Sequence, residues 1–267
     1  MSRFILHRVI SSKPLYLVLL VGLLFSFFHI YIDVLPLENN LSFGEGVQFT
    51  PYTKWIEFGG MTNLVFLLFL ILPLSSALPF ADTFAKDRQT GYLRSILTKG
   101  RAKQYFIGLY VTNFIVAGIM IVIPLLVNIY LTFMFLPNVN PDPIINSAMP
   151  IDFRTSIFPA LYYSHPLYHM LLYVFLAFLF AGLYATLCLS FSFFINNRFV
   201  ILVSAFLVAM LYSLICEFTN NYGLIPVYFL QENSTVQSFS SIVIIFICGL
   251  SISALIYILG VKKRVIT

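Results

Sequence analysis

Long apolar runs separated by short polar loops dominate this chain of 267 residues. Each run is close to or above the roughly 20 residues with which a helix crosses a bilayer. Charged residues make up only 9% of the chain and hydrophobic residues 60%, whereas a soluble domain is about 25% charged. The sequence therefore predicts an all-α polytopic membrane protein and excludes a water-soluble fold. The six predicted spans are about 14–35, 59–81, 105–136, 166–194, 199–217 and 239–261.

The charged residues are divided unequally between the two ends of these spans. If six spans place both termini on one side, thirteen of the fifteen Lys and Arg residues lie on that side, all except Lys54 and Arg154. Eight of the ten Asp and Glu residues then lie on the other side, all except Asp82 and Asp87. Because Lys and Arg are enriched in cytoplasmic loops, the pattern predicts a multi-pass protein of the cell membrane with both termini in the cytoplasm.

The most basic loop, residues 79–105, joins the second and third predicted spans. It holds six of the fifteen Lys and Arg residues. Leu93, Ile96 and Leu97 recur in it at helical spacing, and Gly91 separates two short helical pieces. Short amphipathic helices of this kind lie on lipid headgroups or fit a groove of a partner protein. A solvated basic loop that only fixes the topology is the alternative.

Residues 80–116 resemble the cytoplasmic loop of the permease subunits of type-2 ABC exporters. The order of the spans agrees with this resemblance over the whole chain. Two positions depart from the family pattern, since Asp87 stands where Glu is usual and Lys99 or Gly100 where Pro is common. The residues that carry the resemblance are Asp82, Lys86-Asp87-Arg88, Gly91-Tyr92, Leu93-Ile96-Leu97 and Arg101-Lys103-Tyr105.

The resemblance implies a permease that pairs with a second permease subunit, the same or a related chain, and rests on a separate ABC ATP-binding subunit. That subunit would bind ATP and Mg and perform the hydrolysis, so that this chain would be no enzyme and hold no cofactor or metal. Membrane lipid is an expected partner and nucleic acid is not. In the family the basic loop, here about 82–99, is the coupling helix that docks on the ATPase. The implied ATPase-coupling residues are Phe84, Asp87, Arg88, Gly91, Tyr92, Leu93, Ile96 and Leu97.

The charge-free interior favours an amphipathic cargo such as a peptide or bacteriocin, a drug or a lipid. Small bacterial permeases of this build often serve peptide or bacteriocin export and immunity, and we expect the same class here. Two further segments complete the predicted architecture. Residues 2–12 form an amphipathic interfacial helix. Residues 218–238, interrupted by Gly223 and Pro226, form an outer re-entrant segment or pack over the bundle.

Ionisable residues are nearly absent from the predicted spans. A carrier coupled to protons or sodium usually needs a carboxylate near the midplane, and here Asp33, Asp82 and Glu217 stand at span ends. An ion-coupled carrier is therefore one alternative function, and a non-transporting membrane sensor or scaffold is another. His165 and His169 are predicted to lie at a wet membrane boundary rather than to bind metal. Trp55 is predicted to be an interface anchor.

Overall fold

A computed structural model of the chain describes residues 8–9, 11–38, 49–56, 64–93, 102–143, 151–152, 154–234 and 238–266. All regular structure in these residues is helical. Helices α1, α5, α7, α8 and α10 are long and apolar enough to cross a membrane. In chain order the helices are α1 Lys13–Leu37, α2 Pro51–Lys54, α3 Leu64–Ala77, α4 Thr83–Gln89, α5 Ala102–Phe135, α6 Pro159–Ser164, α7 Pro166–Phe191, α8 Arg198–Phe218, α9 Pro226–Phe229 and α10 Phe239–Ile266.

Five of the predicted spans thus correspond to long apolar helices, and the chain is an all-α membrane protein. The second predicted span is described only as α3, whose 14 residues extend about 21 Å against a hydrocarbon core of about 30 Å. Helix α3 ends at Ala77 because Pro79 lacks an N–H and disfavours helical geometry at the residue before it. Residues 57–63, and most of the predicted interfacial helix at 2–12, lie outside the described residues.

Contacts between side chains show which helix ends lie together. At one end, Arg8 bonds to Asp87, Arg88 bonds to Asn196, and Lys263 lies over the ring of Phe194. At the opposite end the Tyr52 hydroxyl donates to Asn138, and α9 packs on the bundle. We call these the basic end and the acidic end. The described Lys and Arg residues of the basic end are Arg8, Lys13, Lys86, Arg88, Lys103, Arg198, Lys262 and Lys263.

Helix α7 is the centre of the bundle and packs against α3, α5, α8 and α10. The segment after α8 packs on it as well, since Phe229 is buried and its ring lies 5.1 Å from that of Phe180, near the middle of α7. Within the described residues 218–234, the residues around α9 are mostly buried against the bundle, whereas Phe218 and Tyr222 are exposed. A re-entrant segment and a segment that packs over the bundle both remain predictions.

Polar side chains join helices to one another. The Asn128 amide nitrogen lies 3.3 Å from the Ser26 carbonyl of α1, and its oxygen accepts from the Ile56 N–H at 2.9 Å. Nearer the start of α5, Asn113 donates to the Ala185 carbonyl at 2.7 Å. Ser190 of α7 donates to the Ser253 carbonyl of α10 at 2.9 Å. These bonds satisfy polar groups that lipid could not satisfy.

Helices α5 and α7 run antiparallel and interlock through a reciprocal pair of glycines and phenylalanines. The Phe178 ring fills the space beside Gly118, and the Phe114 ring fills the space beside Gly182. The two rings meet edge to face at 5.8 Å. Because apolar side chains gain little from leaving lipid for a helix interface, such close packing of small residues holds membrane helices together.

Replacement of Gly182 by Ala is expected to lower the free energy of unfolding by about 1–3 kcal/mol. The new Cβ would lie 2.6 Å from Cδ2 of Phe114, so that the ring or the helix must move. Unfolding in detergent measures the loss, and the double variant Gly182→Ala/Phe114→Leu should recover part of it. Gly249→Ala is the control, because its Cβ would meet only the flexible end of the Leu183 side chain at 3.0 Å. Equal losses for Gly182→Ala and Gly249→Ala would contradict the interlock.

Candidate functional site

Helix α4 and the turn after it form a compact projection at the basic end. Asp82 precedes the helix and pairs with the Lys86 ammonium at 3.0 Å. After the helix, the Thr90 hydroxyl donates to the Lys86 carbonyl at 2.9 Å, and Gly91 adopts a φ of 75°. This left-handed conformation suits glycine and ends a helix. The predicted break at Gly91 is confirmed, and Gln89, Thr90 and Gly91 form an exposed tip.

Asp87 faces the bundle and is only 1% exposed. The Arg8 guanidinium bonds to both carboxylate oxygens of Asp87: Nη1 donates to Oδ2 at 2.9 Å, and Nη2 donates to Oδ1 at 2.5 Å. The Tyr105 hydroxyl of α5 donates to Oδ2 at 2.5 Å. The hydrogen bond to Asp87 raises the pKa of the Arg8 guanidinium, which stays charged. The buried carboxylate is thus stabilised by a bidentate, charge-assisted interaction with the guanidinium.

Apolar contacts seat the same projection on the bundle. The Phe84 ring is fully buried and stacks on Phe193, with ring centroids 3.9 Å apart. Leu93 is 9% exposed and belongs to the same apolar cluster as Phe106 and Leu109. The sequence predicts that Leu93, Ile96 and Leu97 present a ridge to a partner protein. The structure turns Leu93 toward the bundle instead, and Ile96 and Leu97 lie outside the described residues.

A third set of bonds joins α4 to the turn between α7 and α8. Arg88 donates to the Asn196 side-chain oxygen at 2.6 Å and to the Ile195 carbonyl at 3.4 Å. Arg198 donates to the Gln89 side-chain oxygen at 2.7 Å. The resemblance implies that Asp87 and Arg88 are among the residues that couple to an ATPase. In the structure both side chains instead bond within the chain.

The basic end therefore combines a rigid base with an accessible tip. Arg8 also lies 5.6 Å from the centre of the Tyr92 ring, so that the segment before α1 contacts both sides of the turn. A force on the tip would reach α1 through Arg8, α5 through Tyr105 and the α7–α8 turn through Arg88. This arrangement suits mechanical coupling, and the residues that the structure describes hold no group of three His, Cys, Asp or Glu side chains that could bind a metal.

A second polar cluster lies at the acidic end, and sequence reasoning missed it. The Trp55 indole N–H donates to Oε2 of Glu232, and Nδ1 of His169 lies 2.5 Å from Oε1. His169 and Glu232 are fully buried and Trp55 is 1% exposed. The predictions that His169 lies at a wet boundary and that Trp55 is an interface anchor are therefore wrong. Burial results from the segment after α8, which brings Glu232 over the start of α7.

Bonds around His169 show which chemistry this cluster can perform. Ser156 Oγ lies 3.2 Å from Nε2 of His169, so that a Ser–His–Glu series is present. However, Nε2 also lies 2.7 Å from the Ile157 carbonyl, which can only accept, so that Nε2 carries a proton. A protonated Nε2 cannot remove the proton from Ser156, as a general base for a nucleophile must. The cluster is therefore a buried structural link between α7 and three outer segments, which carry Trp55, Ser156–Ile157 and Glu232.

Burial raises the pKa of the Glu232 carboxyl above its ordinary value. In the protonated form of this carboxyl, the O–H can donate to Nδ1 of His169 while the other oxygen accepts from Trp55. Residues 63 and 177 positions apart in the sequence meet here. The only signal in the sequence was a carboxylate, Glu232, next to an apolar stretch with no partner nearby.

Arg8 and Asp87 are expected to stabilise the fold as a pair, so that the contribution of each residue depends on the presence of the other. Arg8→Met should cost about 1–3 kcal/mol, because it leaves a buried acceptor short of partners. Arg8→Met/Asp87→Leu should cost less than the sum of the two single changes, with a coupling energy within about 0.5–3 kcal/mol. Unfolding of the four proteins in detergent gives this energy.

The Lys86–Asp82 pair on the same helix is the control for this cycle. The Lys86 side chain is 36% exposed, and pairs that water reaches contribute about 0–1 kcal/mol. Lys86→Met should therefore cost less than Arg8→Met. Additive losses at Arg8 and Asp87 would contradict the assignment.

Replacement of Glu232 by Gln is expected to keep the fold and change how stability depends on pH. The raised pKa of Glu232 means that its contribution is complete below the ordinary value of 4.5 and is lost as the pH rises through the folded pKa. A glutamine side chain at this position would make the same two bonds at every pH. Unfolding is measured at pH 5 and pH 8. The free energy of unfolding of the variant, relative to that of the unsubstituted protein, should be higher at pH 8 than at pH 5.

Glu217→Gln is the control for this pH dependence, because Glu217 is an exposed carboxylate of the acidic end. The difference in free energy of unfolding between this variant and the unsubstituted protein should be the same at pH 5 and pH 8. A constant difference in stability between Glu232→Gln and the unsubstituted protein would contradict the burial effect.

Comparison with known proteins gives no match with which the geometry of the basic end could be compared. No protein-family model matches the chain, and no curated protein or solved structure matches it either. What the basic end does must therefore follow from its own residues. They form a projection that is anchored by charge and by aromatic packing and that carries an exposed tip.

Proposed function

We propose that the chain is the permease subunit of an ATP-binding cassette transporter. It moves an amphipathic substrate across the membrane with energy from a separate ATPase subunit, and a second permease subunit completes the path. The observation that carries the proposal is the anchoring of α4. One projection bonds to the segment before α1, to the start of α5 and to the α7–α8 turn, while its tip stays exposed.

Each coupling residue named from the sequence takes a part in this proposal. Phe84, Asp87 and Leu93 hold the projection to the bundle, and Arg88 ties it to the α7–α8 turn. Gly91 of the tip and Tyr92 line an open hollow of about 460 Å³, together with Arg8, Asp87 and Thr90. Ile96 and Leu97 supply the apolar contact with the ATPase. Movement of the ATPase then tilts α4, and its rigid base passes the displacement to three parts of the bundle.

The distribution of charge supports a cytoplasmic position for the basic end. An ATPase that uses cellular ATP must meet the permease on that side. The described Lys and Arg residues concentrate there, and Lys54 and Arg154 are the ones described at the acidic end. This bias matches the enrichment of Lys and Arg in cytoplasmic loops. Under the proposal, the tip therefore lies at the cytoplasmic face of the cell membrane.

The interior of the bundle supports an amphipathic cargo. Helices α1, α3 and α5 line a partly open apolar cavity of about 100 Å³. Among the described residues, no charged side chain lines it, and Ser26 and Ser75 supply the hydroxyls. A free ion or a sugar would lose its hydration here without compensation, whereas an apolar side chain or an acyl chain would not. Peptides, including bacteriocins, drugs and lipids are the cargo classes that this lining favours.

The main rival, an ion-coupled carrier, has one observation in its favour. Glu232 and His169 are a buried pair that holds a proton, as carriers driven by proton gradients require. The pair lies at the acidic end, however, where Glu232 meets His169 in the first turn of α7, and Trp55 and Ile157 close it on two sides. The described part of the spans offers no second carboxylate along a path from this pair to the basic end. The ABC proposal therefore explains more of the structure.

The test is purification of the tagged chain from its native membranes in mild detergent, followed by measurement of ATP hydrolysis in the eluate. We expect vanadate-sensitive hydrolysis with no ion gradient. Thr90→Trp places bulk on the exposed tip and should lower the co-purified activity at least about tenfold, which corresponds to about 1.4 kcal/mol of lost docking. Ile96→Ser/Leu97→Ser should lower it as well.

Thr219→Trp is the matched control for the tip. Thr219 ends α8 as Thr90 ends α4, and its hydroxyl donates to the carbonyl four residues earlier at 3.0 Å. It is exposed at the acidic end, so that its replacement should leave the ATPase bound. Equal activity with both Trp variants, or no ATP hydrolysis with the unsubstituted chain, would refute the proposal. Transport in vesicles that follows a proton gradient and ignores ATP would favour the ion-coupled carrier.

A further inference from the structure

An open apolar groove separates α5 from α10 on the outer surface of the bundle. Its volume is about 760 Å³. The α5 wall runs from Lys103 to Val111 and the α10 wall from Ala254 to Lys262, a length of about 12 Å along each helix. Ile107 and Ile258 are 55% and 51% exposed, so that the walls are open to the surroundings of the bundle.

Two tyrosines form the floor of the groove and leave it apolar. The Tyr110 hydroxyl donates to Ser253 Oγ at 3.1 Å, and the Tyr257 hydroxyl donates to the Phe106 carbonyl at 2.8 Å. Their rings lie 4.9 Å apart. Each hydroxyl is thus bonded to the opposite helix, which fixes the width of the groove while the ring faces remain as its surface.

Two lysines stand at one end of this groove, both exposed. Lys103 lies in the first turn of α5, and Lys262 lies near the end of α10. The described carboxylates of the basic end have other partners, because Asp82 pairs with Lys86 and Asp87 pairs with Arg8. Within the described residues, the two ammonium groups therefore have no carboxylate to neutralise them.

We propose that the groove binds one anionic phospholipid of the membrane. An acyl chain lies along the walls of α5 and α10, and Lys103 and Lys262 hold the phosphate at the basic end. Charge complementarity selects the occupant, because a basic pocket between membrane helices attracts an anionic headgroup. The apolar walls that extend from the lysines would be covered by an acyl chain attached to the headgroup. A free phosphate has no such chain.

The position of the lysines also fits the depth of a headgroup. Long cationic side chains near helix ends reach to the membrane interface while their methylene stems cover apolar surface. A zwitterionic lipid such as phosphatidylcholine would bring a second cationic group close to both lysines. The site should therefore discriminate by headgroup charge, whereas the apolar walls should discriminate between a lipid and a water-soluble phosphate.

Native mass spectrometry of the purified full chain in detergent tests the proposal. The probes are phosphatidylglycerol and phosphatidylcholine with identical acyl chains, and sn-glycerol 3-phosphate. We expect one tightly bound phosphatidylglycerol per chain, with an apparent affinity at least about tenfold above that of phosphatidylcholine. Glycerol phosphate should not compete. Equal binding of the two lipids, or competition by glycerol phosphate, would overturn the proposal.

Variants locate the site on the molecule. Lys103→Gln/Lys262→Gln should abolish the preference for phosphatidylglycerol. Lys13→Gln/Lys86→Gln removes the same charge from the same end at residues that do not line the groove, and it should preserve the preference. An equal loss in both double variants would show a general effect of surface charge and overturn the site.

Filling the groove tests the role of the acyl chain. Ala254→Phe and, separately, Val111→Phe occupy apolar space without changing charge, and both should weaken phosphatidylglycerol binding. A normal unfolding midpoint in either variant shows that the fold survives. Undiminished binding in a folded variant would mean that only the headgroup is recognised, and would overturn the proposal.

A second copy of the chain is the other possible occupant of the groove, and Ile258→Cys in a Cys248→Ser background tests it. Oxidative cross-linking between two chains would show that a second copy covers the groove and would overturn the lipid assignment.

Discussion

A carboxylate that leaves water is stable only when bonds replace its hydration, and Asp87 meets this condition with residues from distant parts of the chain. Arg8 reaches it from before α1 and Tyr105 from the start of α5. Because each partner is needed, the position of α4 depends on both neighbours. The stacking of Phe84 on Phe193 adds the α7–α8 turn to the same assembly. The basic end is therefore one mechanical unit rather than a set of independent loops.

The rest of the bundle obeys the same requirement in a different form. Lipid offers no hydrogen bonds, so that polar groups on the helices must bond to one another. Asn113, Asn128 and Ser190 each bond to a backbone carbonyl of another helix. Glycines then let the helices approach, as Phe114 beside Gly182 shows. Rigid contacts of this kind can pass a displacement from the basic end into the membrane part of the protein.

The two ends of the molecule differ in the way they use charge. The acidic end encloses Glu232 with His169 and Trp55, away from water, and so pins the segment after α8 to α7. The basic end keeps most of its cations at least partly accessible and buries two anions, Asp82 and Asp87. Under the two proposals, its exposed surface meets an ATPase at the tip and an anionic lipid at the α5–α10 groove. An ATPase and a lipid would bind at separate places, since Lys103 and Lys262 do not line the hollow beside Thr90.

The sequence by itself determined the membrane class, five of the helices, the break at Gly91 and the division of charge, because apolar length, backbone freedom and loop charge are local properties. The resemblance also singled out Asp87, although as a residue that couples to an ATPase. Only the tertiary structure decided that Asp87 and Leu93 face inward and that Glu232 meets His169 and Trp55. Burial and pairing depend on residues 79, 63 and 177 positions apart, and helical periodicity carries no information about contacts at such separations.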